Sequence, residues 1–169
     1  KTSDGLKLSG RFVPAKSKKA IIITHGYPFD KGNVLPSALF LHPTYNLLFF
    51  DFRAMGKSEG KTTTVGFNEK KDLLAAVGFL KDRGMEKIGV KGFSLGAAVA
   101  MMTETNDIDA IVADSSYANL GMMLDAMYGQ FWIFKYPFVW LTKIYSKVFL
   151  GLSVNDVSPV KSIKDLETP

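Results

Sequence analysis

Short apolar runs alternate along this chain with stretches whose apolar residues recur at helical spacing, a pattern that predicts parallel strands joined by helices. Four runs rich in β-branched or large apolar residues read as buried strands: Ala20–Thr24, Asn46–Phe52, Lys87–Lys91 and Ala110–Asp114. Leu6–Val13 alternates more and reads as an edge strand or hairpin arm. Asn68–Arg83 sets Leu73, Leu74, Val77 and Leu80 on one helical face, with Asn68 as the expected cap and Gly84 as the stop. Asn33–His42 and Ala97–Thr105 are shorter expected helices. From Tyr117 to Leu150 the pattern becomes helical and dense in methionine and aromatic residues (Met122, Met123, Met127, Phe131, Trp132, Phe134, Phe138, Trp140), and a polar loop follows near Asn155. No internal repeat or low-complexity tract appears. The expectation is a single α/β domain over residues 1–169, with a mostly parallel sheet flanked by helices.

Composition narrows the chemistry. With 169 residues, 47% of them hydrophobic and 22% charged, the chain has ample material for one core and none of the polar bias of disorder. It contains no cysteine, which excludes disulfides, a thiolate nucleophile and cysteine-ligated zinc, and its two histidines, His25 and His42, are too few for a histidine-rich metal site. No metal or organic cofactor is expected. The net charge is +5, but the lysines are scattered rather than gathered on one element among aromatics, so no nucleic-acid partner is expected. Phe131–Leu152 is the most membrane-like stretch, and Lys135, Pro137, Lys143 and Lys147 interrupt it too often for a spanning helix. No signal peptide or anchor is visible ahead of Thr2-Ser3-Asp4-Gly5, a leader already cut off being the alternative, and with no cysteine the expectation is a cytoplasmic location.

The sharpest chemical signal is Gly92-Phe93-Ser94-Leu95-Gly96, set between an expected strand and an expected helix. This is G-x-S-x-G in the context the motif requires. A strand turning abruptly into a helix forces its central residue into a strained conformation, and flanking glycines let neighbouring backbone pass without a Cβ clash. Ser94 is thereby raised at the edge of the sheet. The helix N-terminus behind it turns free N–H groups toward the space where an oxyanion would form. Upstream, His25-Gly26-Tyr27-Pro28 directly follows the strand Ala20–Thr24, and Asp51-Phe52-Arg53-Ala54-Met55-Gly56-Lys57-Ser58-Glu59-Gly60 follows the next one.

With these motifs the sequence resembles the α/β-hydrolase family over nearly its whole length. The resemblance implies that the backbone N–H groups of Tyr27 and Leu95 form an oxyanion hole. The segment from Asp51 matches the family's D-x-R-G-x-G-x-S pattern, with Ala54 in place of the first glycine, and implies a structural loop fixed by an ion pair or hydrogen bonds. Asp114-Ser115-Ser116 and Asp156-Val157-Ser158-Pro159-Val160 also stand where the resemblance would have them.

A serine nucleophile needs a base and a carboxylate to orient it, and the family's chain order is serine, acid, histidine. No histidine follows Ser94. The expectation is the first two-thirds of a hydrolase domain, with the acid and histidine beyond Pro169 and the next strand starting near Glu167-Thr168-Pro169. Within the chain, His25 is a structural residue or a substitute base, His42 a surface residue, and Asp114 a loop residue or a substitute triad acid. Residues 117–155 are either packing helices, a helical lid whose apolar face would favour an acyl chain, or an interfacial contact through Phe131, Trp132 and Trp140 rimmed by Lys135 and Lys143. The expected function is a serine hydrolase cleaving an ester, thioester or amide of a small-molecule acyl substrate with an apolar portion, through an acyl-enzyme on Ser94. The alternative is a catalytically silent binding or scaffold protein. A sheet ending at Ala110–Asp114 would expose an apolar edge, which further strands or a homo-oligomer would cover.

Overall fold

The computed structural model describes residues 1–164 and 168, without the side chains of Gln130, Ile133, Phe134 and Lys135, so the strand expected to begin near Glu167 lies outside the described residues. Five strands form one sheet in the order β1-β3-β2-β4-β5. They are β1 (Gly10–Val13), β2 (Lys19–Thr24), β3 (Asn46–Phe50), β4 (Lys87–Phe93) and β5 (Ala110–Asp114). β1 runs antiparallel to β3, and every other pairing is parallel. The expected α/β class and its mostly parallel sheet are therefore what the chain adopts. The helices are α1 (Lys31–Val34), α2 (Glu69–Lys81), α3 (Leu95–Met102), α4 (Leu120–Tyr128), α5 (Lys135–Phe149) and α6 (Pro159–Ser162), with 3₁₀ turns at Leu39–Leu41, Gly129–Phe134 and Val154–Asp156.

Residues two apart on a strand share a face, and the core follows that rule. Ile22, Leu48 and Phe50 point to one side, where they meet Leu73, Val77 and Leu80 of α2 and Val99 of α3. Ile23, Leu47 and Phe49 point to the other, against Val34 and Ala38 of the α1 segment. Each fully buried leucine here contributes on the order of 1.5–3 kcal/mol of transfer free energy. Outside α3 lies a third layer, in which Ala98 and Met102 pack on Leu120 and Leu124 of α4 and on Leu152, Val154 and Val157.

Several boundaries depart from the pattern. The expected helix Asn33–His42 splits into α1 and the turn Leu39–Leu41. Pro36 stands at the break, where it lacks an N–H and disfavours helical geometry in the residue before it. Leu74 is 42% exposed, and the inner face of α2 instead buries Glu69 and Asp72 beside Leu73 and Leu80. Asn68 lies in helical backbone and makes no side-chain cap, whereas Gly84, at φ 73°, ends the helix as expected. β5 is an exposed edge rather than a buried strand, with Val112 60% accessible.

Candidate active site

β4 passes into α3 through one residue, Ser94, at φ 51° and ψ −110°. L residues rarely occupy this positive-φ region, and it persists only where surrounding structure imposes it. The flanking glycines make the turn sterically feasible: a Cβ on Gly92 would stand 2.6 Å from the backbone of Gly96 and Ala97, and one on Gly96 would strike Thr24. Two hydrogen bonds fix the elbow. The Ser94 N–H donates to the Asp114 carbonyl at 2.8 Å, and its carbonyl accepts from the Ala98 N–H at 3.0 Å.

Ser94 opens into a cavity of about 460 Å³ whose wall it shares with Tyr27, Leu95 and Val65. Met123 and Leu124 of α4 and Leu150 and Leu152 line other parts of it, and no described lining residue carries a charged side chain. Tyr27 thus lies beside Ser94 and Leu95, bringing all three predicted site residues together. The Leu95 N–H, first in α3, has no intrahelical acceptor, and the Tyr27 N–H has no acceptor among the described residues. The chain just after Tyr27 is held by Asp51, whose buried carboxylate accepts from the Lys31 N–H at 2.8 Å and the Lys57 N–H at 2.9 Å and pairs with the Lys31 ammonium. Burial pushes the Asp51 carboxyl up, but these donors outweigh it and hold the group below the ordinary aspartate range.

His25 is buried directly under this loop. Its Nδ1–H donates to the Gly26 carbonyl at 2.9 Å, and its Nε2 accepts from the Phe52 N–H at 3.1 Å. Both nitrogens of the neutral ring are engaged, so His25 is a structural residue and not a base for Ser94. Burial holds its pKa below the ordinary histidine value, although the Gly26 carbonyl and Asp51 pull the other way. Below pH of about 6.5 the unfolded chain therefore takes up a proton that the folded one refuses, and stability falls with pH by up to ~1.4 kcal/mol per unit. Urea midpoints measured from pH 7 down to 5 should fall accordingly, and a His25→Gln variant should flatten the slope. An equally steep slope in that variant would place the titration elsewhere.

The Thr24 hydroxyl, just before His25, is buried with no hydrogen-bond partner among the described residues. Thr24→Val is therefore expected to stabilise the protein by about 1 kcal/mol, because it removes an unsatisfied polar group without changing shape. A lower urea midpoint for this variant would show that the hydroxyl has a partner after all.

The side chains of the other candidates do not line the cavity. The His42 Nε2–H donates to the Pro14 carbonyl at 3.0 Å in an exposed bond, at the end of the sheet opposite Ser94, and the residue is partly exposed. The Asp114 carboxylate accepts from the Ser115 hydroxyl at 2.7 Å and does not line the cavity. Asp51 and Arg53 do fix the loop, but not by pairing with each other. Arg53 binds Asp72 at 2.7 Å and Asp4 at 2.8 Å, and although burial opposes its charge, those carboxylates hold the guanidinium above its ordinary value. Ala54, in place of a glycine, sits at φ 58°, the left-handed conformation that a glycine would supply there.

One part of the site escapes the sequence pattern. The fully buried Glu69 accepts from the Thr64 N–H at 2.9 Å, the Gly66 N–H at 2.8 Å and both Thr63 and Thr64 hydroxyls at 2.7 Å. This fixes Val65 at the cavity wall, where its carbonyl accepts from the Tyr117 hydroxyl at 2.6 Å. Its only trace in the sequence is a threonine run ahead of an acid in a first helical turn, which reads as an ordinary loop.

No family model matches the chain. It is 31% identical over 174 residues to the uncharacterized protein YqkD of Bacillus subtilis (strain 168), covering 98% of this chain and 57% of that one. Among solved structures, the Pyrococcus furiosus esterase Pf2001 superposes with a TM-score of 0.71 at 36% identity, over 99% of this chain and 60% of that one. A second crystal form gives a TM-score of 0.69 at 34% identity, over 97% of this chain and 73% of that one. The α/β hydrolase GrgF from Penicillium sp. sh18 shares the fold at 19% identity, with a TM-score of 0.65 over 99% of this chain and 65% of that one. The chain thus spans about three fifths of the first of these relatives. A serine elbow between strand and helix, the sheet order around it and likeness at this level agree on one conclusion: the chain belongs to the α/β-hydrolase superfamily.

Proposed function

We propose that this chain is the nucleophile-bearing part of a serine hydrolase that cleaves an ester, thioester or amide of an uncharged apolar acyl group through an acyl-enzyme on Ser94. The observation that carries the reading is Ser94 at φ 51°, held at the wall of an apolar cavity beside Tyr27 and Leu95. Ser94 Oγ attacks the acyl carbonyl carbon while its proton passes to a base, and the carbonyl electron pair moves onto oxygen. The Tyr27 and Leu95 N–H groups stabilise that oxyanion by roughly 3 kcal/mol each. Collapse expels the leaving group, and water then releases the acid. Helices α4 and α5 act as a lid whose inner side receives the apolar part of the substrate.

Neither histidine of the chain supplies the base, since His42 is bound to Pro14 at the end of the sheet opposite Ser94 and His25 is engaged through both nitrogens. The reading assigns the base and its orienting acid to residues outside Lys1–Pro169, in keeping with the three fifths of its relatives that the chain spans. The name of Pf2001 as an esterase supports the reaction class. The test is a fluorophosphonate probe on the complete protein, with peptide mass analysis. An adduct on Ser94 is expected. A folded protein that gives none would favour the alternative, a silent member of the superfamily that binds without turnover.

A further inference from the structure

Helix α5 has a cavity on one side and an apolar face on the other. Thr142 and Ser146 turn inward to the Ser94 cavity. The opposite side presents Leu141, Ile144 and Val148, three and seven residues apart as one helical stripe requires, with Leu141 54% and Val148 67% accessible. Trp140, 61% accessible, flanks this stripe, and Trp132, 80% accessible, precedes the helix in a 3₁₀ turn where it takes φ 47°. A soluble surface helix normally presents polar residues outward, so an outward apolar stripe of this kind marks a contact surface.

Charge identifies the contact. From Gly129 to Phe149 the sequence holds lysines at 135, 143 and 147 and no aspartate or glutamate. The acid beside the face is Asp125 of α4, which shares a surface cleft with Trp140 and Lys143. Apolar residues and tryptophan on one face, with flanking lysines and no acid in the helix, form the pattern of a helix lying in the headgroup region of an anionic lipid surface, where aromatic rings sit at the boundary and lysines reach the phosphates. No helix of the described residues is long and apolar enough to cross a membrane. We propose that α5 and the turn before it dock this protein on an anionic lipid surface, with the cavity entrance held next to a source of apolar acyl substrates. The docking itself does not depend on the chemistry at Ser94.

Trp132 and Trp140 stand beside this face, so their fluorescence reports on it once any tryptophan elsewhere in the complete protein is replaced by phenylalanine. The complete protein should float with vesicles of phosphatidylcholine and phosphatidylglycerol and not with phosphatidylcholine alone. Its tryptophan emission should shift to the blue, and binding should weaken as salt is raised. Neutralising Lys143→Gln and Lys147→Gln should lower partitioning roughly fivefold per lysine, Leu141→Glu with Val148→Glu should abolish it, and Ser94→Ala should leave it unchanged. Absence of flotation overturns the proposal. So does a dimer in solution that Leu141→Glu with Val148→Glu dissociates, since the occupant would then be a second copy. Exclusion of acrylamide from Trp140 in the vesicle-free monomer would also overturn it, because the chain would be covering its own face. The lysine substitutions touch only exposed charges, so their result does not hinge on whether the glutamate variant folds.

Discussion

Replacing Ser94 with alanine should lower kcat of the complete protein by about 10⁴- to 10⁶-fold, the loss that follows when a serine nucleophile is removed and only binding and oxyanion stabilisation remain. Glycine at the same position separates two roles. Ser94 is held at φ 51° and ψ −110° by the Asp114 and Ala98 hydrogen bonds on either side of it. Such a conformation costs an L residue about 1–3 kcal/mol, whereas glycine adopts it freely and loses ~0.5–1 kcal/mol to backbone entropy. Ser94→Gly should therefore be as inactive as Ser94→Ala but more stable by about 1 kcal/mol, a Tm rise of roughly 2–4 °C for a protein of this size. Hydrolysis of a short-chain p-nitrophenyl ester and a thermal scan on the three proteins check both statements. An alanine variant within tenfold of wild type would remove Ser94 from the chemistry. A glycine variant no more stable than alanine would show that no strain is stored at the elbow. The two outcomes are independent, so stability and turnover can be assigned separately to this residue.

What the sequence reveals here is set by how local the cause is. β3 buries both of its faces and β2 nearly does, β4 buries Ile88 and Val90 on one face, and the elbow is five consecutive residues, so hydrophobicity and two glycines suffice to locate them. That Tyr27 and Leu95 line one cavity is expected only from the resemblance, because they follow two strands that are neighbours in the sheet but far apart in the chain. Long-range polar partners carry no such signal. Lys31 as the counter-ion of Asp51, Glu69 as the anchor of the Val65 loop, and Asp4 and Asp72 as the partners of Arg53 are all choices made by tertiary packing among many lysines and acids. Leu74 shows the converse limit. Its spacing suits the apolar face of α2, yet the helix rotates to bury Glu69 and Asp72, whose hydrogen bonds to the loops outweigh the burial of one leucine.

Arg53→Ala should be the most destabilising single substitution outside the elbow, by about 3–5 kcal/mol. Arg53 leaves the end of β3 nearly buried and binds Asp72 through Nε at 3.0 Å and a terminal nitrogen at 2.7 Å, while the Arg53 N–H donates to the same carboxylate at 2.9 Å. Truncating the arginine leaves Asp72, fully buried in α2 and already pushed up by burial, without a counter-charge, so the carboxyl either stays charged and unpaired or takes up a proton on folding, and this supplies most of the cost. Asp4, the second partner, has a side chain 34% accessible, so Asp4→Ala should cost under ~1 kcal/mol. Asp72→Ala combined with Arg53→Ala should recover part of the loss, because the double variant buries neither charge alone. Urea unfolding of the three variants measures this directly. A cost for Arg53→Ala no larger than that for Asp4→Ala would mean that solvent reaches Asp72 once the arginine is gone, and that α2 is held to the sheet by Leu73, Val77 and Leu80 rather than by the ion pair.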